Sequence, residues 1–220
     1  MKYTPTFILL LISLNAISQV GLEVSGSYNT YAQKDLKKLQ TDVKNSLSFP
    51  AKATESFPAF FGFEGGISKY FKNMKLGGFV FYTTTGGRLS YADYSGVYVY
   101  DQDLEMLSVG LNVKSLVVNK ERANFGLGVK LGLALTNYNE SERFELYNVV
   151  QNQSKLDLKS NGFSLRIYAG TEIKIFKMLH LNTEIGYEVN ASSEFKYQGK
   201  DTNIKPNWSG LRLAMGFLIR

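Results

Sequence analysis

The chain has 220 residues, 44% of them hydrophobic and 14% aromatic, with 20 Gly, 4 Pro and no Cys. That composition does not suggest disorder, and the lack of cysteine excludes a disulfide framework, a thiolate metal site and a cysteine nucleophile. The formal net charge of +6 is spread along the chain rather than gathered in one run, so nothing points to nucleic acid.

In chain order, the first segment is "MKYTPTFILLLISLNAISQ". It has Lys2 at its start, an apolar stretch from Phe7 to Leu14, and small residues at Ala16 and Ser18. This is the pattern of a secretory signal peptide over residues 1–18, leaving residues 19–220 as the mature domain. The apolar stretch is shorter than the roughly 20 residues a membrane-spanning helix needs.

The mature chain then alternates with period two, the signature of strands with one apolar face. The first strand covers Val20 to Tyr31, with Val20, Leu22, Val24 and Tyr28 on one face. The second covers Ala59 to Phe71, with Phe61, Phe63 and Ile67 opposite Gly62, Glu64 and Gly66. The third starts near Lys75 and runs past Tyr82; both of its faces are apolar and its orientation stays open. The fourth is Leu104 to Val118. The fifth is the segment from Phe125 to Leu135, where Phe125, Leu127, Val129, Leu131, Leu133 and Leu135 oppose Gly126, Gly128, Lys130, Gly132 and Ala134. The sixth covers Gly162 to Ile175, the seventh Leu181 to Ala191, and the last Trp208 to Arg220.

These eight strands, of about ten residues or slightly more, match what a tilted strand needs to cross a bilayer. The connections alternate in length. Short turns fall at Lys72-Asn73-Met74, Asn119 to Ala123 and Lys177-Met178-Leu179. Long segments fall at Ala32 to Phe57, Thr85 to Asp103, Tyr138 to Ser160 and Ser192 to Asn207. Short turns at one end and long loops at the other is the connectivity of outer-membrane barrels, with both termini on the periplasmic side.

A soluble barrel reads with the same period but is apolar inside. The membrane form is favoured because the polar face is rich in Gly, Ala and Ser with single charges, which suits a crowded lumen. The apolar face is bulky and nearly unbroken. Aromatic residues recur at strand ends (Tyr28, Tyr31, Tyr70, Phe71, Tyr138, Phe176, Tyr187 and Trp208), where rings anchor at headgroup level. The expected fold is all-β: an antiparallel up-and-down transmembrane β-barrel of about eight strands in the outer membrane.

The signal ending "NAISQ", the stretch "FFGFEGGISKYF" before a short turn, and the closing strand "WSGLRLAMGFLIR" together resemble the small outer-membrane β-barrel proteins of Bacteroidota, similar in architecture to the OmpA/OmpX class. The resemblance spans the mature chain and is one of pattern. The last residue, Arg220, departs from the aromatic ending usual in barrel-assembly signals.

Three features are candidates for activity. The single histidine, His180, is placed beside a periplasmic turn. Small barrels that modify lipid A or cut proteins generally hold their catalytic histidine near the outer face, so the resemblance gives His180 no catalytic role. With no other His and no Cys, no cofactor or transition metal is expected. The lumen face carries Glu23, Glu64, Glu172, Glu184 and Glu188 against Lys114, Lys130, Arg166, Lys174 and Arg212. Burying such charges unpaired costs several kcal/mol each, so they are expected to form a paired network filling the barrel, with an ion path as the alternative. In the first long loop, Leu36, Leu39, Val43 and Leu47 recur at helical spacing among Lys37, Lys38 and Lys44. This predicts a short amphipathic helix, resting either on lipopolysaccharide or over the barrel mouth.

The functional expectation is a non-enzymatic integral outer-membrane protein whose loops serve adhesion, partner docking or envelope integrity. Its partners would be outer-membrane lipid, lipopolysaccharide and another envelope protein. The alternatives are a narrow channel or transporter for small solutes or apolar compounds, and, ranking below it, a lipid-modifying hydrolase.

Overall fold

The computed structural model describes residues 20–147, 149–197 and 200–220; the expected signal peptide lies outside these. The elements in chain order are β1 (Val20–Asn29), α1 (Lys34–Ser46), β2 (Lys52–Ser56), β3 (Phe60–Phe71), β4 (Met74–Ala92), β5 (Gly96–Asn119), β6 (Ala123–Leu146), β7 (Val149–Lys174), β8 (Leu179–Ser192), β9 (Lys196–Tyr197), β10 (Lys200–Asp201) and β11 (Gly210–Ile219). Strands β1, β3, β4, β5, β6, β7, β8 and β11 pair antiparallel with their neighbours, and β11 closes on β1 through pairs such as Val24 with Phe217. Every strand of the ring therefore has two partners, and no sheet edge is left in the membrane.

The register fixes the shape. From Val20 the partners run through Lys69, Leu76, Val113, Val129, Ile167, Tyr187 and Leu211. Leu211 O then accepts from Thr30 N at 3.0 Å, ten residues along the strand from the starting point. A stagger of that size over eight strands tilts them by about 40° and gives a radius of roughly 8 Å. Such a barrel is narrow enough for its own side chains to fill.

The parity of each strand decides which residues meet the outside. On β6, Leu127, Leu131 and Leu133 are each 55% exposed, while Lys130 is 2% exposed. The outward apolar run on β5 from Leu107 to Val117 rises about 25 Å along the barrel axis at that tilt, the height of a hydrocarbon band. In water this unbroken ring of Leu, Val, Ile and Phe would be a large apolar patch. In lipid it is the surface the solvent requires. The architecture is thus an antiparallel transmembrane β-barrel of the outer-membrane type.

Several sequence expectations are corrected. Two of the long loops are mostly strand: β4, β5, β6 and β7 have 19, 24, 24 and 26 residues and continue well past the apolar belt as a standing sheet. Hydrophobic periodicity fades there because neither face meets lipid. The fourth loop keeps only the small β9–β10 hairpin. On β4, Lys75, Phe79, Phe81 and Thr83 point inward and Leu76, Val80 and Tyr82 outward; its double apolar character arises because two lumen positions are Phe. Of the strand-end aromatics, Tyr28, Phe71, Phe176 and Tyr187 do point outward. Tyr31, Tyr138 and Trp208 are buried inside, and Tyr70 has its hydroxyl buried. Being near a strand end does not set direction; the parity of the strand does.

The first loop positions the cap. Gln33 takes a left-handed conformation (φ 37°, ψ 43°) just before α1. Its backbone N–H donates to Asn207 O at 3.2 Å and its side-chain Oε1 accepts from Asn207 N at 3.0 Å, so the helix starts tied to the chain entering β11. Leu36 is fully buried, and Leu39, Val43 and Leu47 pack on the barrel mouth while Lys38 and Lys44 face solvent. Leu47 itself lies just past the helix, in extended conformation. The apolar stripe of α1 is therefore occupied by the barrel rather than by lipid.

Candidate functional site

The lumen is built in layers. At the periplasmic end Lys75 Nζ lies 2.6 Å from Glu23 and 3.5 Å from Glu172, and Lys114 Nζ lies 3.1 Å from Glu172. Arg220 reaches up with its guanidinium 3.7 Å from Glu172. Asn182 then links levels, donating to Glu23 and, at 3.5 Å, to Glu184. Mid-barrel, Lys130 Nζ contacts Glu64 and lies 2.7 Å from Glu184, with the Tyr168 ring centroid at 4.9 Å. Gly128 makes room for that ring: a Cβ there would sit 2.4 Å from it. Above, Arg166 bridges Glu64 at 2.8 Å and Glu188 at 3.0 Å, and Arg212 meets Glu188 at 3.1 Å.

The ladder is continuous, with one buried cation for each carboxylate. Nine of the lumen charges read from sequence lie in it. Lys174 does not: it sits at the periplasmic rim, half-buried, opposite His180 in the register. Sequence reading missed Lys75, which is fully buried, because the two apolar faces of β4 hid its parity; Phe79 and Phe81, two and three steps along the same face, were the available signal. It also missed Arg220, whose terminal position concealed its reach into the lumen.

An aromatic lid covers the ladder. The Arg166 guanidinium lies 4.8 Å from the Phe81 centroid, and that of Arg212 lies 5.1 Å from Tyr31. Trp208 is fully buried, donates its indole N–H to Thr136 Oγ1 at 3.0 Å and meets Tyr31 edge-on at 5.0 Å. Leu36 of α1, Phe57 and Phe195 complete this cluster. Phe57 holds φ at 48°; its ring is 2% exposed, and burial of that size offsets the roughly 1–2 kcal/mol cost of a left-handed residue.

Outside the membrane, Leu89, Tyr98 and Tyr100 form a second cluster with Phe49 and Phe144. Burial pushes the hydroxyls of Tyr98 and Tyr100 up from their ordinary value, so both stay neutral. Arg88 pairs with Asp101 at 2.5 Å on the outer face, an exposed pair of small energetic weight. His180 accepts a hydrogen bond from Arg220 Nε at 3.3 Å, and no hydroxyl or carboxylate among the described residues is hydrogen-bonded to it. Among the described residues, no group of three His, Cys, Asp or Glu could hold a metal ion.

No protein-family model and no curated protein matches the chain. Solved structures do. Neisserial surface protein A is 13% identical, with a TM-score of 0.47 over 91% of this chain and 96% of its own. OprG from Pseudomonas aeruginosa is 9% identical, with a TM-score of 0.45 over 91% and 94%. The outer membrane protease OmpT from Escherichia coli is 9% identical, with a TM-score of 0.42 over 91% and 96%. Scores below 0.5 add nothing to what the closed ring and its outward belt already establish.

Proposed function

We infer that the barrel is an anchor in the outer membrane and that its working part is the rigid sheet and cap on the extracellular side, a non-enzymatic docking surface for another envelope protein or an external partner. The observation that supports this most is the lumen. Salt bridges fill it from Glu172 to Glu188, and Trp208, Phe57 and Leu36 lie across its outer end. Neither a water path nor a catalytic cluster is needed to explain those residues.

The extracellular sheet has features of a docking surface. β6 and β7 pair from Asn137 with Lys159 up to Leu146 with Val149, so the sheet stands about ten residues beyond the apolar belt and holds its tips firmly. At those tips Tyr94 is 97% exposed, Tyr147 75% and Val149 59%; exposed tyrosine is enriched at protein interfaces. Photo-crosslinking residues placed at Tyr94 and Tyr147 in intact outer membranes should capture one recurrent protein neighbour. Capture from the periplasmic turn at Lys177 instead, with none from the tips, would overturn the reading.

A further inference from the structure

On the outer wall, at the extracellular edge of the belt, the β7–β8 pairing stops at Gly162 with Ser192 and resumes only as Lys159 with Lys196 of β9. Between them the chain turns inward to bury Phe195 in the lid. Ser193 ties the detour down: its N–H donates to Asn161 O at 2.8 Å and its hydroxyl to Asn161 Oδ1 at 3.0 Å. The inward detour leaves a groove of about 460 Å³ on the lipid side, adjoined by a second of about 410 Å³ that shares Leu135, Asn161 and Ser193.

We propose that this groove binds a phosphate-bearing lipid of the outer leaflet, with the phosphate between Lys159 and Lys196 and an acyl chain along Leu135 and Phe163. Three observations converge. Lys159 and Lys196 stand directly opposite one another across a strand pair, a like-charge arrangement that is unfavourable unless an anion lies between them. Both are exposed, and neither forms an ion pair with a described residue; the carboxylate at Glu194 is engaged by Lys205 at 3.5 Å. Two further carboxylates are near without pairing: Asp157 is the next position outward on the same face of β7, and Asp201 faces Lys196 across the β9–β10 hairpin, yet neither forms an ion pair with either lysine. The groove's lower wall is apolar, through Leu133, Leu135 and Phe163, and its upper wall carries the lysines with Asn137 and Asn161. Lys159 sits two residues above the last apolar row, about 5 Å along the membrane normal, which is the level of lipid phosphates. The inference rests on the membrane placement of the barrel and not on what the extracellular sheet docks.

The test is binding of phosphatidylglycerol to the detergent-purified barrel, counted by native mass spectrometry. Phosphatidylcholine and inorganic phosphate serve as comparisons. The native chain should bind phosphatidylglycerol in preference to phosphatidylcholine. The pair Lys159→Gln and Lys196→Gln should weaken that binding about 30-fold, as two headgroup-level cations imply. Leu135→Trp, which fills the groove, should also abolish the preference while leaving the heat-dependent gel migration of the folded barrel unchanged. Undiminished phosphatidylglycerol binding in either variant would overturn the proposal. So would displacement of the lipid by an equal concentration of inorganic phosphate, since the acyl chain would then contribute nothing.

Discussion

Lys130 is the centre of the ladder, and Lys130→Met probes it most directly. Methionine approximates the length and bulk of the stem but carries no charge. Its loss leaves Glu64 with Arg166 at 2.8 Å, while Glu184 keeps only the Asn182 amide at 3.5 Å. Removing one partner of a buried ion pair costs about 3–5 kcal/mol. The surviving Arg166 contact puts this case near the lower end, about 3 kcal/mol. With a denaturant slope of about 2 kcal/mol per molar urea, the unfolding midpoint of the barrel in lipid vesicles should fall by about 1.5 M. Glu184 is what the missing ammonium strands, so the double variant Lys130→Met with Glu184→Gln should recover at least half of that loss. A single variant within 0.3 M of the parent, or a double variant at the sum of the two single effects, would refute a shared buried network.

Three further predictions follow from separate parts of the molecule. Unboiled and boiled samples should migrate differently in detergent electrophoresis, because the closed ring resists unfolding; identical migration would contradict closure. Trp208, the single tryptophan of the chain, should be inaccessible to aqueous iodide, and Leu36→Asp, which lifts α1 from the mouth, should raise its quenching several-fold. Asp93 accepts from Ser95 N at 2.8 Å, Ser95 Oγ at 2.7 Å, Gly96 N at 2.9 Å and Tyr91 OH at 3.0 Å. These bonds, that of the Ser95 hydroxyl foremost, hold its carboxyl down at about 2. With the folded value depressed, its support for the β4–β5 turn is complete above the ordinary carboxylate value of about 4 and is lost as pH falls through about 2. A carboxyl titration by NMR with its midpoint near 4 would refute that geometry.

Much of the membrane region was legible from the sequence because lipid imposes a strict period of two. Phe125 to Leu135 and Leu211 to Ile219 could face only one way once their alternate positions were Gly, Lys and Arg. Beyond the belt that constraint lapses. Tyr98 and Tyr100 turn inward and Val97 and Asp101 outward, but a stretch whose inward face is Tyr and Gln and whose outward face mixes Val with Asp reads as a loop. Lys75 and Arg220 were hidden for different reasons, one by apolar residues on both faces of its strand and the other by its place just past the last paired residue of the closing strand, Ile219. The turned-in aromatics show the limit most clearly. Trp208 and Tyr31 sit where an interfacial belt would lie, and only the pairing of β11 with β1 sends them to the lid.

The central claim is that a charged ladder and an aromatic lid close the lumen, making the barrel an anchor. Single-channel recording of the purified protein in a planar lipid bilayer tests it most directly. Closure predicts a flat baseline in the native chain across applied voltages of either sign. Reproducible, discrete conductance steps from the native chain, scaling with salt concentration, would contradict it.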